Sequence, residues 1–252
     1  MHSPQPTTAD TGWQASPPVP DALPLQPFRL APGATQLLVR LPPPGPEAAP
    51  QQRGAQRRQA EHHLGRRCAA QLLAQLGAAD TTVGINADRS PRWPRHVVGS
   101  ITHSRTLVAV ALARQSQVRA IGIDAEPVVA AADLEAIEHL CLTPQERQAL
   151  DQQGQLPRHV AVTAIFSAKE ALYKCLFPLV QRYFDFQCAL IDLTGMTDGV
   201  IHGRLLHTLS PEFYAGYTIT GSYHGQLDHA FTAFCLPPPV VNRFGPYAIV
   251  RA

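Results

Sequence analysis

Two acidic residues close an apolar run, Ile121-Gly122-Ile123-Asp124-Ala125-Glu126-Pro127. Side chains of an extended strand alternate between its faces, so Asp124 and Glu126 point to the same side. Two carboxylates that close together need a cation, a shared proton or contact with water. Carboxylate oxygens suit a hard ion such as Mg²⁺, which uses one or two protein carboxylates and fills its shell with phosphate oxygens and water. An acidic turn at a strand end carries the same residues with no ligand.

A second stretch, Phe166-Ser167-Ala168-Lys169-Glu170-Ala171-Leu172-Tyr173-Lys174, reads as helix. Glu170 and Lys174 are four apart and share a face opposite the stripe of Ala168, Leu172 and Cys175. Alone they are an ordinary surface pair, worth about 0.3–0.5 kcal/mol. With Lys169 beside them, the helix presents a third metal carboxylate flanked by two ammonium groups, which suits a metal–pyrophosphate complex. A third stretch, Gly99-Ser100-Ile101-Thr102-His103-Ser104, ends a strand in hydroxyls and an imidazole. His103 can donate to a phosphate or sit in a turn satisfied by backbone groups. A fourth is basic: Arg53, Arg57, Arg58, Arg66 and Arg67 accompany a single Glu61. Arg58, His62 and Arg66, at four-residue steps, share a face that can bind phosphate or an acidic partner, or simply be solvated.

These groups need a scaffold, and the pattern supplies one. Residues 55–76 hold Gly65 as their one Gly or Pro, and Ala60, Leu64, Cys68, Leu72 and Leu76 recur every four residues, which predicts a helix. Strand-like runs follow at 82–86, 97–102 and 107–113, and the last is predicted to turn through 114–117 into 118–123 as an antiparallel hairpin. A short helix is expected over 133–140, and Thr143-Pro144-Gln145-Glu146 has the residues of a capping box with Pro at the first helical position. Pro157 opens a longer helix that Pro178 should end, and strands are predicted at 186–194, 200–206, 214–223 and 229–236. Residues 36–41 read as an edge strand. This order favours an α+β fold with mostly antiparallel sheets.

Composition sets the outer bounds. The 252 residues are 45% hydrophobic and 16% charged, a globular balance, and the net charge of +2 gives no bulk attraction to nucleic acid or membrane. No apolar run approaches the roughly 18 residues of a membrane span, and no export signal is visible. Five scattered cysteines, Cys68, Cys141, Cys175, Cys188 and Cys235, make no C-x-x-C pair, which favours a reducing, cytoplasmic setting. Thirteen of the 24 prolines fall in residues 1–50, so 1–26 reads as a flexible Pro-rich extension and 237–252 as a tail.

Together and in order, these motifs resemble the 4′-phosphopantetheinyl transferases of the large monomeric type that activates enterobactin and surfactin synthetases, closer to the enterobactin branch. The resemblance rests on Gly65-Arg66, Arg89-Ser90-Pro91-Arg92-Trp93-Pro94, the Gly99 to Ser104 stretch, the Gly122 to Glu126 stretch and the helix around Lys169 and Glu170, and it spans about residues 27–236. Thr102 stands where a Ser is commoner and keeps the hydroxyl. The resemblance implies two similar halves, a pseudo-dimer in which each small antiparallel sheet packs on a long helix, with coenzyme A in the cleft between them. The first half would cover 27–121 and the second, with the metal site, 122–236.

It also implies a reaction: Mg²⁺-dependent transfer of phosphopantetheine from coenzyme A to a serine of an apo acyl or peptidyl carrier protein, releasing adenosine 3′,5′-bisphosphate. By the family pattern Asp124, Glu126 and Glu170 would hold Mg²⁺, or Mn²⁺ in its place. His103, Lys169 and Lys174 would meet phosphate oxygens, with Thr102 beside them, and Arg66 with Arg89 or Arg92 would hold the nucleotide end. Glu170, Lys174 and His103 form the expected catalytic set, with Glu170 as first candidate for the base. A monomer docking its carrier on apolar segments within 133–156 is expected. Two further enzyme or binding readings use the same residues: a Mg²⁺-dependent nucleotide pyrophosphatase, and an inactive binder of coenzyme A or carrier. A nucleic-acid module is weaker, because the arginines have no aromatic platform beside them.

Overall fold

The computed structural model describes residue 19 and residues 21–41, 50–152 and 156–238. Most of the predicted extension and nearly all of the tail lie outside these residues.

The first half is a four-stranded antiparallel sheet with strand order β1-β2-β6-β5, in which β1 is Ala22–Leu23, β2 Thr35–Arg40, β5 Val97–His103 and β6 Leu107–Arg114. Helix α1, Pro50–Gln75, lies on one face of this sheet. Its buried side runs through Glu61, Gly65, Cys68, Ala69, Leu72 and Leu73, whereas Ala60 is exposed, so the true stripe is one residue round from the predicted one. A two-stranded ribbon of β3, Gly84–Ile85, and β4, Pro91–Arg92, is all that forms from the predicted 82–86 strand. Two features depart from the sequence reading at its start. β1 pairs with β2, making β2 an interior strand, and Val19 is buried, so ordered structure begins before residue 27.

The second half is a five-stranded antiparallel sheet with order β7-β11-β10-β9-β8: β7 Ala120–Pro127, β8 Ala189–Asp192, β9 Val200–Leu205, β10 Thr218–Gln226 and β11 His229–Leu236. Three helices join β7 to β8: α2, Leu134–Cys141; α3, Pro144–Gln152; and α4, Arg158–Val180. The capping box forms as predicted, with the Glu146 carboxylate accepting from Thr143 N at 2.7 Å and Glu146 N donating to Thr143 Oγ1 at 3.2 Å. Helix α4 runs past Pro178 to a left-handed cap at Gln181.

The predicted hairpin of 107–113 with 118–123 does not form. After Arg114 the chain crosses to the other sheet, and β7 pairs along its whole length with β11, from His229↔Pro127 to Leu236↔Ala120. The physical reason is that β7 is buried on both faces. Ile121, Ile123 and Ala125 enter a core shared with Leu38, Ala109 and Ala111 of the facing sheet, Phe28 of the segment before β2 and Phe231 of β11. The alternate residues, including Ala120 and Gly122, face α4. A hairpin partner in the first sheet would leave one of these faces uncovered. Gly122 is required there, because a Cβ on it would stand 1.9 Å from Ala171 O and 2.5 Å from Cys175 N. The result is four layers, α1, sheet, sheet and α4, with the two-half α+β architecture that the sequence predicts.

Candidate active site

The two sheets meet where β5 lies beside β7. Strand parity turns Ser100, Thr102 and Ser104 inward, all buried, and leaves His103 exposed. Side-chain hydroxyls join the two sheets here. Ile123 N donates to Ser100 Oγ at 3.1 Å, Thr102 Oγ1 donates to Asp124 Oδ1 at 2.9 Å, and Ser104 Oγ lies 3.0 Å from His229 Nε2.

The charged cluster sits at this seam, on the α4 side of β7. Asp124 is 2% exposed, and its Oδ1 also accepts from Lys174 Nζ at 2.6 Å. Its second oxygen, Oδ2, is buried and has no hydrogen-bond partner. Burial pushes the Glu126 carboxyl up to about 8, with the Asp124 and Glu170 charges adding to the shift and Lys174 opposing it. Burial also raises Glu170, again with Asp124 adding and Lys174 opposing. The three carboxylates therefore crowd one another around a single ammonium. This donor set fits a hard divalent cation: it offers carboxylate oxygens alone, and one of them is buried and unpartnered. Among the described residues no three such groups already close round one point, so ligation requires Glu126 and Glu170 to turn toward Asp124.

Beside the cluster a cleft of about 580 Å³ separates the halves. The first half contributes Arg89, Trp93 and Ser100, and the second contributes Tyr173, Lys174 and Tyr183. An adjoining chamber of about 160 Å³ is walled by Glu170, Tyr173, Phe184 and Phe186. Tyr173 stacks on Phe177 at 5.2 Å between centroids and packs on Phe184 at 4.9 Å, so the wall is fixed by its neighbours. Tyr183, at the mouth, is 75% exposed.

The predicted site residues fall into two groups. Asp124, Glu126, Glu170, Lys174 and Arg89 gather at the cluster or in the cleft. Arg89 reaches it from a left-handed backbone position, φ 68°. The others are placed elsewhere. Lys169, expected at a phosphate, is turned into the protein: its side chain is 2% exposed, and Nζ donates to Glu146 Oε2 and Cys141 O at 2.7 Å and to Phe186 O at 2.8 Å. Thr102, expected beside the phosphates, is 3% exposed and faces Asp124 and Lys174. Arg66 donates to Val83 O and Gly84 O, pinning the small ribbon to α1, and Arg92 lies over Gly84 in that ribbon. His103 meets the buried Glu61 of α1, Nδ1 to Oε2 at 3.3 Å, with Arg57 on the other carboxylate oxygen at 2.9 Å. Burial, with the Arg66, His63 and His103 charges adding, holds His62 below its ordinary value. The sequence does not point to the aromatic walls, nor to Glu146 as the partner of Lys169. Tyr173 stood within the quoted helical motif, on the polar side of the stripe, which was the available signal.

The two halves correspond to two family models. Residues 47–113 match the 4′-phosphopantetheinyl transferase N-terminal domain, and residues 120–229 match the 4′-phosphopantetheinyl transferase superfamily. The 4′-phosphopantetheinyl transferase PptT of Mycobacterium tuberculosis is 36% identical over 166 residues, which cover 62% of this chain and 71% of that protein. The chain belongs to the 4′-phosphopantetheinyl transferase family. Its resemblance extends to the 4′-phosphopantetheinyl transferase Npt of Nocardia iowensis, 37% identical over 56% of this chain and 64% of that protein. It also extends to enterobactin synthase component D of Salmonella typhimurium, 36% identical over 47% of this chain and 48% of that protein. The alignments thus take in about half to seven-tenths of these relatives' own lengths. For a 4′-phosphopantetheinyl transferase family member, the seam is where the two matched regions meet, and it is also where the carboxylates lie.

Proposed function

We propose that this protein transfers the 4′-phosphopantetheine group of coenzyme A to a serine of an apo acyl or peptidyl carrier protein, with Mg²⁺ or Mn²⁺ bound by Asp124, Glu126 and Glu170. The observation that carries this reading is the mutual influence of three carboxylates and Lys174, with one carboxylate oxygen, Asp124 Oδ2, buried and unpartnered, at the edge of a cleft built by both halves. When bound, the cation neutralises the pyrophosphate and the carboxylates together.

The chain's own groups do the rest. The serine Oγ forms a bond to the phosphorus next to the pantetheine arm. The bridging P–O bond breaks, and its electrons leave with adenosine 3′,5′-bisphosphate. Glu170 takes the serine proton; burial raises its basicity, which suits that role. Lys174, 28% exposed in its side chain, offers its ammonium to phosphate oxygens entering the cleft. The chamber beside Glu170 has apolar walls of Phe184 and Phe186 for the uncharged arm. Arg89, in the wall of the cleft, suits the nucleotide phosphates.

For the carrier, the surface groove of α2 and α3 offers Leu140, 54% exposed, with Arg147 at its rim. Carrier domains are small and often acidic, so an apolar anchor beside a guanidinium suits them. No helix among the described residues is long and apolar enough to cross a membrane. The five cysteines are free, which suits a reducing, cytoplasmic compartment. The test is intact-protein mass spectrometry of an apo carrier incubated with this protein, coenzyme A and Mg²⁺. A phosphopantetheine mass gain that EDTA prevents supports the reading. Coenzyme A cleavage without carrier modification would replace it with hydrolysis.

A further inference from the structure

Thr102 belongs to the first half and Asp124 to the second, yet each is the other's partner. The Thr102 hydroxyl has one proton, which it donates to Asp124 Oδ1 at 2.9 Å, and its lone pair faces Lys174 Nζ at 3.3 Å. Lys174 Nζ reaches the same Oδ1 at 2.6 Å. The three groups close a triangle in which two donors converge on one carboxylate oxygen. The other oxygen, Oδ2, is buried without a partner, an expensive state for an acceptor unless something else uses it.

We propose that Thr102 is a positioning residue for the cation site: by tying down Oδ1 from across the seam, its hydroxyl fixes the carboxylate rotation and assigns Oδ2 to the cation. The inference rests on the reading that Asp124, Glu126 and Glu170 hold a divalent cation. A carboxylate with neither oxygen held can turn about its last bond and present either edge, or both. Two donors on one oxygen remove that freedom. Thr102 suits this because it is 3% exposed and β-branched, so its side-chain torsion is itself restricted by packing. Hydrogen-bond partners behind a metal ligand commonly tune affinity in this way.

The test is Mn²⁺ binding to the purified full chain without coenzyme A, read by electron paramagnetic resonance of free Mn²⁺, for wild type, T102S, T102V, T102A and D124N. Circular dichroism identifies which variants fold; T102A stands in if T102V does not. Loss of the hydroxyl in T102V or T102A should weaken Mn²⁺ binding by about 10- to 100-fold. T102S should stay within about threefold of wild type, because it restores the donor. A hydroxyl serving stability alone would leave the folded protein's Mn²⁺ affinity unchanged. If folded T102V or T102A binds Mn²⁺ like wild type while D124N binds it weakly, the positioning role is overturned and the cation site stands. If wild type binds Mn²⁺ no better than D124N, the cation reading falls and takes this inference with it.

Discussion

Replacing Lys169 with Met asks whether its ammonium serves the fold or the substrate. Lys169 and Glu146 have side chains 2% and 1% exposed and form an ion pair at 2.7 Å. Desolvation holds the Lys169 ammonium below its ordinary value, with Glu146 opposing the shift. In K169M, Glu146 keeps Thr143 N and Oγ1 at 2.7 and 2.9 Å and Ile191 N at 2.6 Å, but its charge is buried with no cation. Removing one partner of such a pair costs about 3–5 kcal/mol. For a chain of this size each kcal/mol moves Tm by roughly 2–4 °C, so K169M should melt roughly 6–20 °C lower. E146Q should fall by a similar amount. K169M/E146Q removes both charges and should lose much less than the sum, with a coupling of at least about 2 kcal/mol. Urea and thermal denaturation of the four proteins measure the cycle, and coenzyme A KM is measured on the same samples. KM should change less than twofold in the double variant. The reasoning is refuted if the two losses add to within about 0.5 kcal/mol. It is equally refuted if K169M keeps its stability and loses coenzyme A affinity, which would return the ammonium to a phosphate.

Glu170→Gln should lower carrier modification by at least about 100-fold, because it removes the base and a cation ligand together, while the denaturation midpoint stays near wild type. Lys174→Ala should lower kcat/KM for coenzyme A, and an unchanged value would confine Lys174 to its pairing with Asp124. Gly122→Ala should destabilise by at least about 3 kcal/mol in urea melts, because the new Cβ meets α4 backbone atoms that no rotamer change can move. Glu138 is held below its ordinary value of 4.5 by its hydrogen bonds with Arg158, with the Arg158 and Arg147 charges adding and burial opposing. A carboxyl depressed in the folded state stabilises above its unfolded value, and that contribution is lost as pH falls through the folded value. Stability should therefore drop below about pH 4.5 in wild type and drop less in E138Q, as measured by denaturation at stepped pH.

The elements whose burial repeats at one period were legible from residue type. α4 and β11 lie close to the predicted ranges, and the Thr143–Glu146 box appears with both reciprocal bonds. β7 was recognised over 118–123, four residues short of its end at Pro127, and was paired wrongly, because a strand buried on both faces does not reveal which partner it has. Among the site residues, the acidic pair and Glu170 were legible because strand parity and helical spacing are local. Lys169 was not. The buried partner that draws its ammonium inward, Glu146, lies 23 positions away and carries no local signal. Thr102 and His103 diverge because they lie on opposite faces of one strand. The choice between Arg89 and Arg92 depends on the loop backbone, where Arg89 alone of the two takes a positive φ.

The join between β5 and β7 carries a thermodynamic obligation. It is made by hydroxyls, Ser100 to Ile123 N and Thr102 to Asp124, and the cleft takes its walls from both sides of it. A ligand that touches both halves must therefore bind more tightly when the halves are docked, and by reciprocity must strengthen their docking by the same factor. Opening at this line and loss of ligand are then coupled by that factor. Hydrogen exchange at Ile123 N would report how tightly the ligand is held without observing the ligand at all.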